Sequence, residues 1–573
     1  MDRRAFAYLV PYWRRLVLVL VISLVSTATT LVIPYLSKDL IDNALVGRDL
    51  GALQRIVGWF IALGVLGFFL NVTSGLRYTR VSAEILFDMR LALYAHLQRL
   101  SPRFYAKTRL GDIVSRLNND ISEIQRVAAE AALAWVGNVL FLVGSLVMML
   151  WLDWRLALVA LAPLPISLVA LGFYRRRLES RVAELRQRSA DIGSFLIETL
   201  QATSLVVASN AQQREQQRFR GLNGAFIESL MQMQRVTYFA GGLPGTVLAI
   251  GSAVAFFYGG LRVIQGTLTL GTMGAFLAYQ MRVFAPAQAL MGLWASLATA
   301  KVSWARVLEL LDAPIDVVES ADARTIPAPK GEVTFENVTL STDRQARVLD
   351  AVSFTANPGQ TVAIVGGSGV GKSTIAYLAT RLLDPDSGTV RLDGHDLRHL
   401  TLESVRRHVV LVEQEPTLLH ATIEENIRYV RPSATTDDVK VAAEAAGIAR
   451  FIAGLPNGYS TIVGERGLAV SAGERQRIAL ARAFLADPAV LVMDEPTAAL
   501  DQIAQRQVID GSRAVMRDRT TILITHRREV AMAADHVVVL DGARVVDAGT
   551  PQELAGRSEA FARLFEIDLP VRA

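Results

Sequence analysis

The chain has 573 residues, 51% of them hydrophobic and only 20% charged, with a mean hydropathy of +0.32. That length calls for more than one domain, and the balance argues against a wholly soluble enzyme and for a chain partly embedded in lipid. A net charge of +5 would suit nucleic acid or a membrane surface, but the basic residues flank apolar runs instead of forming one tract, which favours the membrane; the absence of cysteine excludes disulfides, thiol nucleophiles and cysteine-ligated metal centres.

The N-terminus, MDRRAFAYLVPYWRR, is basic, but the apolar run behind it is too long for the core of a cleavable signal peptide. Leu16–Leu36, Ile56–Leu76, Ala131–Leu152, Leu156–Tyr174 and Val236–Leu261 contain no charged residue, and Val263–Ala300 is interrupted only by Arg282. At about 1.5 Å per residue each is long enough to cross a hydrocarbon core of about 30 Å. Burial in a large soluble core is the alternative, but six such runs are hard to place in a soluble domain. The expectation is an all-α, six-helix transmembrane domain over 1–312. Arg3, Arg4, Arg14 and Arg15 before the first helix, and Arg175, Arg176 and Arg177 after the fourth, put the N-terminus on the cytoplasmic side.

The external loops are then short: about 37–55, 153–155 and one around Arg262. By contrast, 77–130 and 175–235 are long, polar and helically periodic, and predict cytoplasmic stalks reaching about 35–40 Å from the bilayer. Tyr105–Asp112 and Ala208–Glu215 are the candidate stalk turns.

Residues 313–330 carry three prolines and several acids, and read as a linker. From Gly331 onward, short β-branched runs (TVAIVGG, HVVLVEQ, AVLVMDEP, TTILITH) alternate with helical patterns, predicting a mainly parallel α/β domain over 331–573.

TVAIVGGSGVGKST is a strand followed by a G-x-x-x-x-G-K-S loop and a helix. Gly366, Gly367, Ser368, Gly369, Val370 and Gly371 can turn backbone N–H groups around a phosphate chain. Lys372 adds charge at the terminal phosphates, the Ser373 hydroxyl can ligate Mg2+, and Thr374 completes the motif. In AVLVMDEP, Asp494 is placed to hold Mg2+ through its water shell, and Glu495 to polarise the attacking water as general base.

Gly366–Thr374, Gln414 in VEQEP, VSAGERQR (470–477), VMDEPTAALD and His526 in LITHR occur in the order and at spacings that resemble ATP-binding-cassette (ABC) ATPases, here an α/β P-loop domain. The six-helix half resembles the exporter-type transmembrane domain of half-transporters, so the resemblance covers nearly the whole chain. FYAKTRLGDIVSRLNND resembles that family's first stalk turn. The resemblance implies an ATP hydrolase coupled to transport, with ATP and Mg2+ as ligands. It implies that Gln414 senses Mg2+ and the membrane domain, that His526 contacts the γ-phosphate, and that Asp501 crosses a dimer interface. Ser471, Ala472, Gly473 and Glu474 form the signature that faces a second chain's ATP. One phosphate loop and one signature per chain imply two associated chains, homodimer or heterodimer, in a bilayer, the expected location being a bacterial inner membrane with the ATPase cytoplasmic. No nucleic-acid partner is implied. The cargo is an unspecified small molecule, an amphipathic compound, lipid or drug by the family's habit, and export is the default direction, although some relatives import.

Two departures from the family pattern stand out, and so does one charge within an apolar run. The family's usual signature is Leu-Ser-Gly-Gly-Gln, whereas this chain has Ala472 and Glu474; the added charge is unfavourable near ATP but favourable at a helix start by about 0.3–1 kcal/mol. Thr342 stands where the family places an adenine-stacking aromatic, and no aromatic occurs from Leu340 through Ser353. Arg282 lies midway along the sixth apolar run, where a charge costs about 2.5–3.5 kcal/mol on insertion scales and must face a cavity or a partner. It either lines the translocation path and favours an anionic or zwitterionic cargo, or pairs with a neighbouring helix. Asn71, Asn138, Gln280 and Gln288 are weaker candidates for the path.

Overall fold

The computed structural model describes residues 4, 7–341, 347–464, 470–496 and 502–566; side chains at some helical positions, among them Arg175, Arg176 and Gln288, also lie outside that description. The chain forms two compact units, Met1–Leu97 with Gly111–Asp312, and Gln98–Leu110 with Ala313–Ala573.

The first unit is helical. Trp13–Asp39 continues as a π-helical stretch, Leu40–Val46, and packs against Leu50–Leu97. The turn between them is residues 47–49, far shorter than the loop expected over 37–55. It closes tightly because Asp49 accepts hydrogen bonds from the backbone N–H of Gly51 (2.8 Å) and Ala52 (3.0 Å), an N-cap for the second helix. Ile121–Leu152 and Trp154–Leu161 meet at Asp153, which caps the latter by accepting from the Leu156 N–H (2.8 Å). The fourth apolar run is not one helix: it breaks at Ala162 and resumes as Pro163–Gln201, since proline at a first helical position has no N–H to donate backward.

Gln212–Ile264 is the fifth helix and Leu270–Leu311 the sixth. The connection falls at 265–269, not around Arg262. Arg262 is helical and pairs with Asp153. The sixth helix is tied to the first by Asp42, which accepts from the Thr269 hydroxyl (2.6 Å) and the Gly271 N–H (2.8 Å). A Cβ at Gly271 would lie 2.4 Å from the Lys38 carbonyl, so glycine is required for that approach. Met149, Leu156, Phe276 and Tyr279 form the buried centre, and the Tyr279 hydroxyl donates to the Leu31 carbonyl (2.6 Å).

Four stretches among the described residues are long and apolar enough to cross a membrane: Val10–Val46, Leu50–Leu97, Trp135–Leu152 and Gln212–Ile264. The other two apolar runs are helical but include side chains outside the description.

The first stalk turns over residues 98–110, around the short helix Pro102–Lys107, several residues earlier than expected, and this tip belongs to the second unit. There the Arg103 guanidinium donates to the Ser341 carbonyl (2.7 Å), and Ser101 bonds Asp316. The second stalk turns at Ser209–Ala211, inside the expected window, with Asn210 in the left-handed region (φ 50°).

The second unit holds two sheets. Strands β1 (Val333–Ser341), β2 (Arg347–Ala356), β4 (Ser387–Leu392) and β5 (His395–Asp396) form an antiparallel sheet in the order β2-β1-β4-β5. Strands β3 (Thr361–Gly366), β6 (Val409–Val412), β7 (Val490–Asp494), β8 (Thr520–Ile524), β9 (His536–Asp541) and β10 (Arg544–Gly549) form the second, in the order β10-β9-β3-β8-β7-β6, parallel except for β10.

Alternation along the central strands divides the core. Val362, Ile364, Val492, Ile522 and Val538 face a layer shared with β1, β2 and the helix Lys372–Ala379. Ala363, Val365, Val537 and Val539 face Leu554 and Phe561 on the other side, and Leu491, Met493 and Leu523 face a third cluster containing the helix Ala472–Ala486. Strands covered on both faces read as continuous apolar runs, which is why they were visible in the sequence. Each large apolar side chain buried in this way contributes about 1.5–3 kcal/mol.

Residues 313–330 are not a free spacer. The buried Arg381 donates to the Val318 carbonyl (3.0 Å) and the Leu400 carbonyl (2.8 Å), and Arg324 bridges to Leu400. The segment is sewn to the second unit by backbone groups, which composition does not report.

Candidate functional site

β3, β6, β7 and β8 are parallel neighbours, and each candidate catalytic residue lies just past the carboxyl end of one of them. Register pairs Val412 with Met493, Asp494 with Ile524, and Ile364 with Ile524. The sheet therefore gathers Gln414, Glu495, His526 and the loop after β3 along one edge, the usual ligand-binding edge of such sheets.

In that loop the glycines serve different ends. A Cβ at Gly366 would lie 2.5 Å from the Leu540 carbonyl, and one at Gly371 would lie 2.5 Å from the Val348 carbonyl with φ at +97°. Gly369 has free space but φ at +79°. The buried Lys372 ammonium donates to the carbonyls of Gly366 (3.0 Å) and Gly367 (2.7 Å), so its charge is centred under the loop at the start of the helix Lys372–Ala379. Loop N–H groups, helix end and ammonium together make an anion cradle.

Glu495 sits between two partners. Its carboxylate accepts from the Gln414 side-chain amide (3.4 Å) and stands 3.1 Å from His526 Nδ1. Its backbone is left-handed (φ 44°), a conformation costing roughly 1 kcal/mol or more in a side-chain-bearing residue, and the turn presents its carboxylate to both. Burial pushes the Asp494 carboxyl up, and the Glu495 charge adds to this; the Ser373 hydroxyl and the Lys372 charge pull it down without cancelling the rise. Glu413, which the sequence reading passed over, behaves alike: burial and then the Asp494 charge push its carboxyl up. Its one signal was adjacency to Gln414.

Among the described residues no group of three or more His, Asp or Glu forms a metal cage. Buried, like-charged carboxylates against a serine hydroxyl nevertheless fit a divalent cation that takes its other ligands from water and phosphate.

Ser471 is the N-cap of the helix Ala472–Ala486, accepting from the Glu474 N–H (3.3 Å), while the Glu474 carboxylate accepts from the Ser471 N–H (2.8 Å). This is a capping box. Of the two effects weighed for this charge, the helix-start one is seen: the Glu474 carboxylate is turned back onto its own helix end. Gly473 is buried. Gln476 donates to the Glu413 carbonyl (3.3 Å), and Arg482 donates to the Asn426 carbonyl (2.6 Å) and Thr417 carbonyl (2.7 Å), fixing this helix to the segment between Glu413 and Asn426. Asp501 and Thr342 lie outside the described residues.

In the first unit, Arg282 borders a cavity of about 1080 Å³ with Asn71 and Asn138. Gln280 does not line it, and its buried amide oxygen has no hydrogen-bond partner among the described residues. The Gln288 side chain lies outside the description.

Two family models match the chain: the ABC transporter transmembrane region over residues 16–287 and the ABC transporter model over 349–498. A Bacillus subtilis protein named "Uncharacterized ABC transporter ATP-binding protein YknV" is 32% identical over 98% of this chain and 93% of its own. A Staphylococcus aureus protein named "Putative multidrug export ATP-binding/permease protein" is 31% identical over 99% of this chain and all of its own. The solved structure of a bacterial Atm1-family ABC exporter with ATP bound superposes with a TM-score of 0.79 at 29% identity, over 96% of this chain and 98% of that one. The chain belongs to the ABC transporter family as an exporter-type half-transporter, an integral membrane protein whose ATP-binding cassette couples ATP hydrolysis to transport.

Proposed function

We propose that two copies of this chain form a symmetric exporter in a bacterial inner membrane, with the N-terminus and both cassettes in the cytoplasm. The observation that carries this reading is Glu495 placed between Gln414 and His526 beside an intact phosphate loop. Glu495 takes a proton from water as the water oxygen attacks the γ-phosphorus and the bond to ADP breaks. His526 holds the γ-phosphate and the attacking water, and Lys372 offsets the phosphate charge. Ser373, Asp494 and Gln414 would hold Mg2+, which supplies charge neutralisation at the phosphates.

The signature acts on the partner's ATP through Ser471, Gly473 and the positive helix end. A capped Glu474 supports a working signature, so two identical chains make two equal sites. Exposed apolar residues at the second stalk turn, Ile197, Leu200 and Leu205, support a surface that a second copy covers. Asp501 would cross between cassettes. Arg14 and Arg15 in the first turn of the first helix support the cytoplasmic N-terminus. The multidrug-export name of the Staphylococcus aureus relative supports outward transport of a small molecule, along a path that includes Arg282.

The test is ATP hydrolysis by the purified chain alone in lipid. Hydrolysis by wild type and its loss in Glu495→Gln is the expected result; an inactive chain that gains activity only with a different half-transporter would replace the symmetric pair with a mixed one.

A further inference from the structure

The cavity beside Arg282 is polar in a patterned way. Ser23, Ser26, Thr27 and Thr30 recur at helical spacing on one face of the first helix and all border it. Asn71 and Ser74 do the same from the second helix and Asn138 from the third. Arg282, exposed on the sixth helix, is the only charged residue among the described lining, so no carboxylate in that lining balances it.

These groups carry different costs. The Thr27 hydroxyl donates to the Ser23 carbonyl (2.9 Å), Thr30 to the Ser26 carbonyl (3.0 Å) and Ser74 to the Val19 carbonyl (3.3 Å). Thr27 and Thr30 are satisfied along their own helix and Ser74 by bonding across to the first helix, and each hydroxyl can rotate toward a ligand. An apolar cargo filling this space would strip water from hydroxyls and amides without replacing it, at about 1–3 kcal/mol per unsatisfied group. A cation would meet Arg282. A hydrophilic anion gains a charge-assisted bond from Arg282, amide donors from Asn71 and Asn138, and hydroxyls around the rest of its surface. A volume of about 1080 Å³ is at the upper end of small-molecule sites.

We propose that the cargo is a water-soluble organic anion, bearing a carboxylate or phosphate, that binds in this cavity through Arg282. The route rests on the export reading above; the charge class rests on the cavity alone.

The experiment uses the full chain in phosphatidylcholine nanodiscs without ATP, with binding read by fluorescence anisotropy of two xanthene dyes of similar size, anionic carboxyfluorescein and cationic rhodamine 123. Wild type is expected to prefer carboxyfluorescein. Arg282→Gln weakens that binding about tenfold or more, the loss of one charge-assisted bond. Arg282→Lys restores part of it, and Arg282→Glu reverses the preference toward rhodamine 123, which a merely structural arginine would not do. Thermal unfolding and elution volume establish that each variant is folded. Equal binding by wild type and folded Arg282→Gln, or a wild-type preference for rhodamine 123, overturns the proposal. Loss of carboxyfluorescein binding in phosphatidylglycerol nanodiscs would assign the cavity to anionic lipid headgroups and also overturn it. None of these readings requires hydrolysis, so a failure here is separable from a failure of the ATPase test.

Discussion

His526 Nδ1 and Glu495 Oε1 stand 3.1 Å apart although 31 positions separate them in the chain. They meet because β7 and β8 are adjacent and parallel, and each residue follows its strand's end directly or by one position. Gln414 reaches the same carboxylate from β6. A carboxylate oriented from both sides is prepared to take a proton from water in one direction only. Glu495→Gln is expected to lower steady-state ATP hydrolysis by about 10²-fold or more while leaving ATP binding intact, as read by phosphate release and by nucleotide binding on the same sample.

His526→Ala should lose comparable turnover. A variant that hydrolyses ATP at the wild-type rate would remove His526 from the reaction.

Glu474 closes a capping box with Ser471, so its substitution should be felt in helix stability. Glu474→Gln keeps a side chain able to complete the capping box and should leave the melting temperature nearly unchanged. Glu474→Ala opens the box and Ser471→Ala removes the cap itself; each is expected to cost about 0.5–2 kcal/mol, measured by denaturant unfolding. Ser471→Ala should also lower ATP turnover if, as proposed, its hydroxyl is offered to the partner's ATP.

Burial raises the carboxyls of both Asp494 and Glu413, with the Glu495 charge adding to the first and the Asp494 charge to the second. Their folded forms hold protons more tightly than the unfolded chain does. Their contribution is therefore most favourable below the ordinary carboxyl range, about 3.9–4.3, and is lost as pH rises from there through the raised values. Asp494→Asn removes this loss. Without Mg2+ and nucleotide, the variant should gain stability relative to wild type as pH rises from about 4 to 8, by roughly 1 kcal/mol or a few degrees in melting temperature. It should also lose Mg2+-dependent hydrolysis. A constant difference across that range would show that Asp494 does not titrate there.

Arg381 is buried and bonds two backbone carbonyls, one of them in the 313–330 segment, as well as Asp384 (3.3 Å). Arg381→Met strands these acceptors and should destabilise the ATPase unit by about 2–4 kcal/mol, with faster hydrogen exchange around Val318.

Thr342→Tyr supplies the aromatic that Leu340–Ser353 lacks. Base–aromatic stacking is worth about 1–3 kcal/mol in nucleic-acid sites, so ATP affinity should rise roughly fivefold or more. An unchanged affinity would mean that adenine is held by other means.

Much of this protein was readable without coordinates, because its signals are local. Uncharged runs of about twenty residues report lipid, a glycine loop between strand and helix reports phosphate, and fully apolar short runs report buried parallel strands. Those features depend on spacing along the chain, and the spacing settled fold class and ATP chemistry. The tertiary structure decided what depends on register and on groups that composition does not weigh. Backbone carbonyls took Arg381 and turned an expected linker into part of the ATPase unit. A capping box showed which partner the Glu474 carboxylate takes at its helix start. Polar stripes on three helices, each unremarkable alone, faced one cavity around Arg282 only once the helices packed. Pairing between distant segments carries no local pattern, because the partners are chosen by the fold and not by their neighbours in sequence.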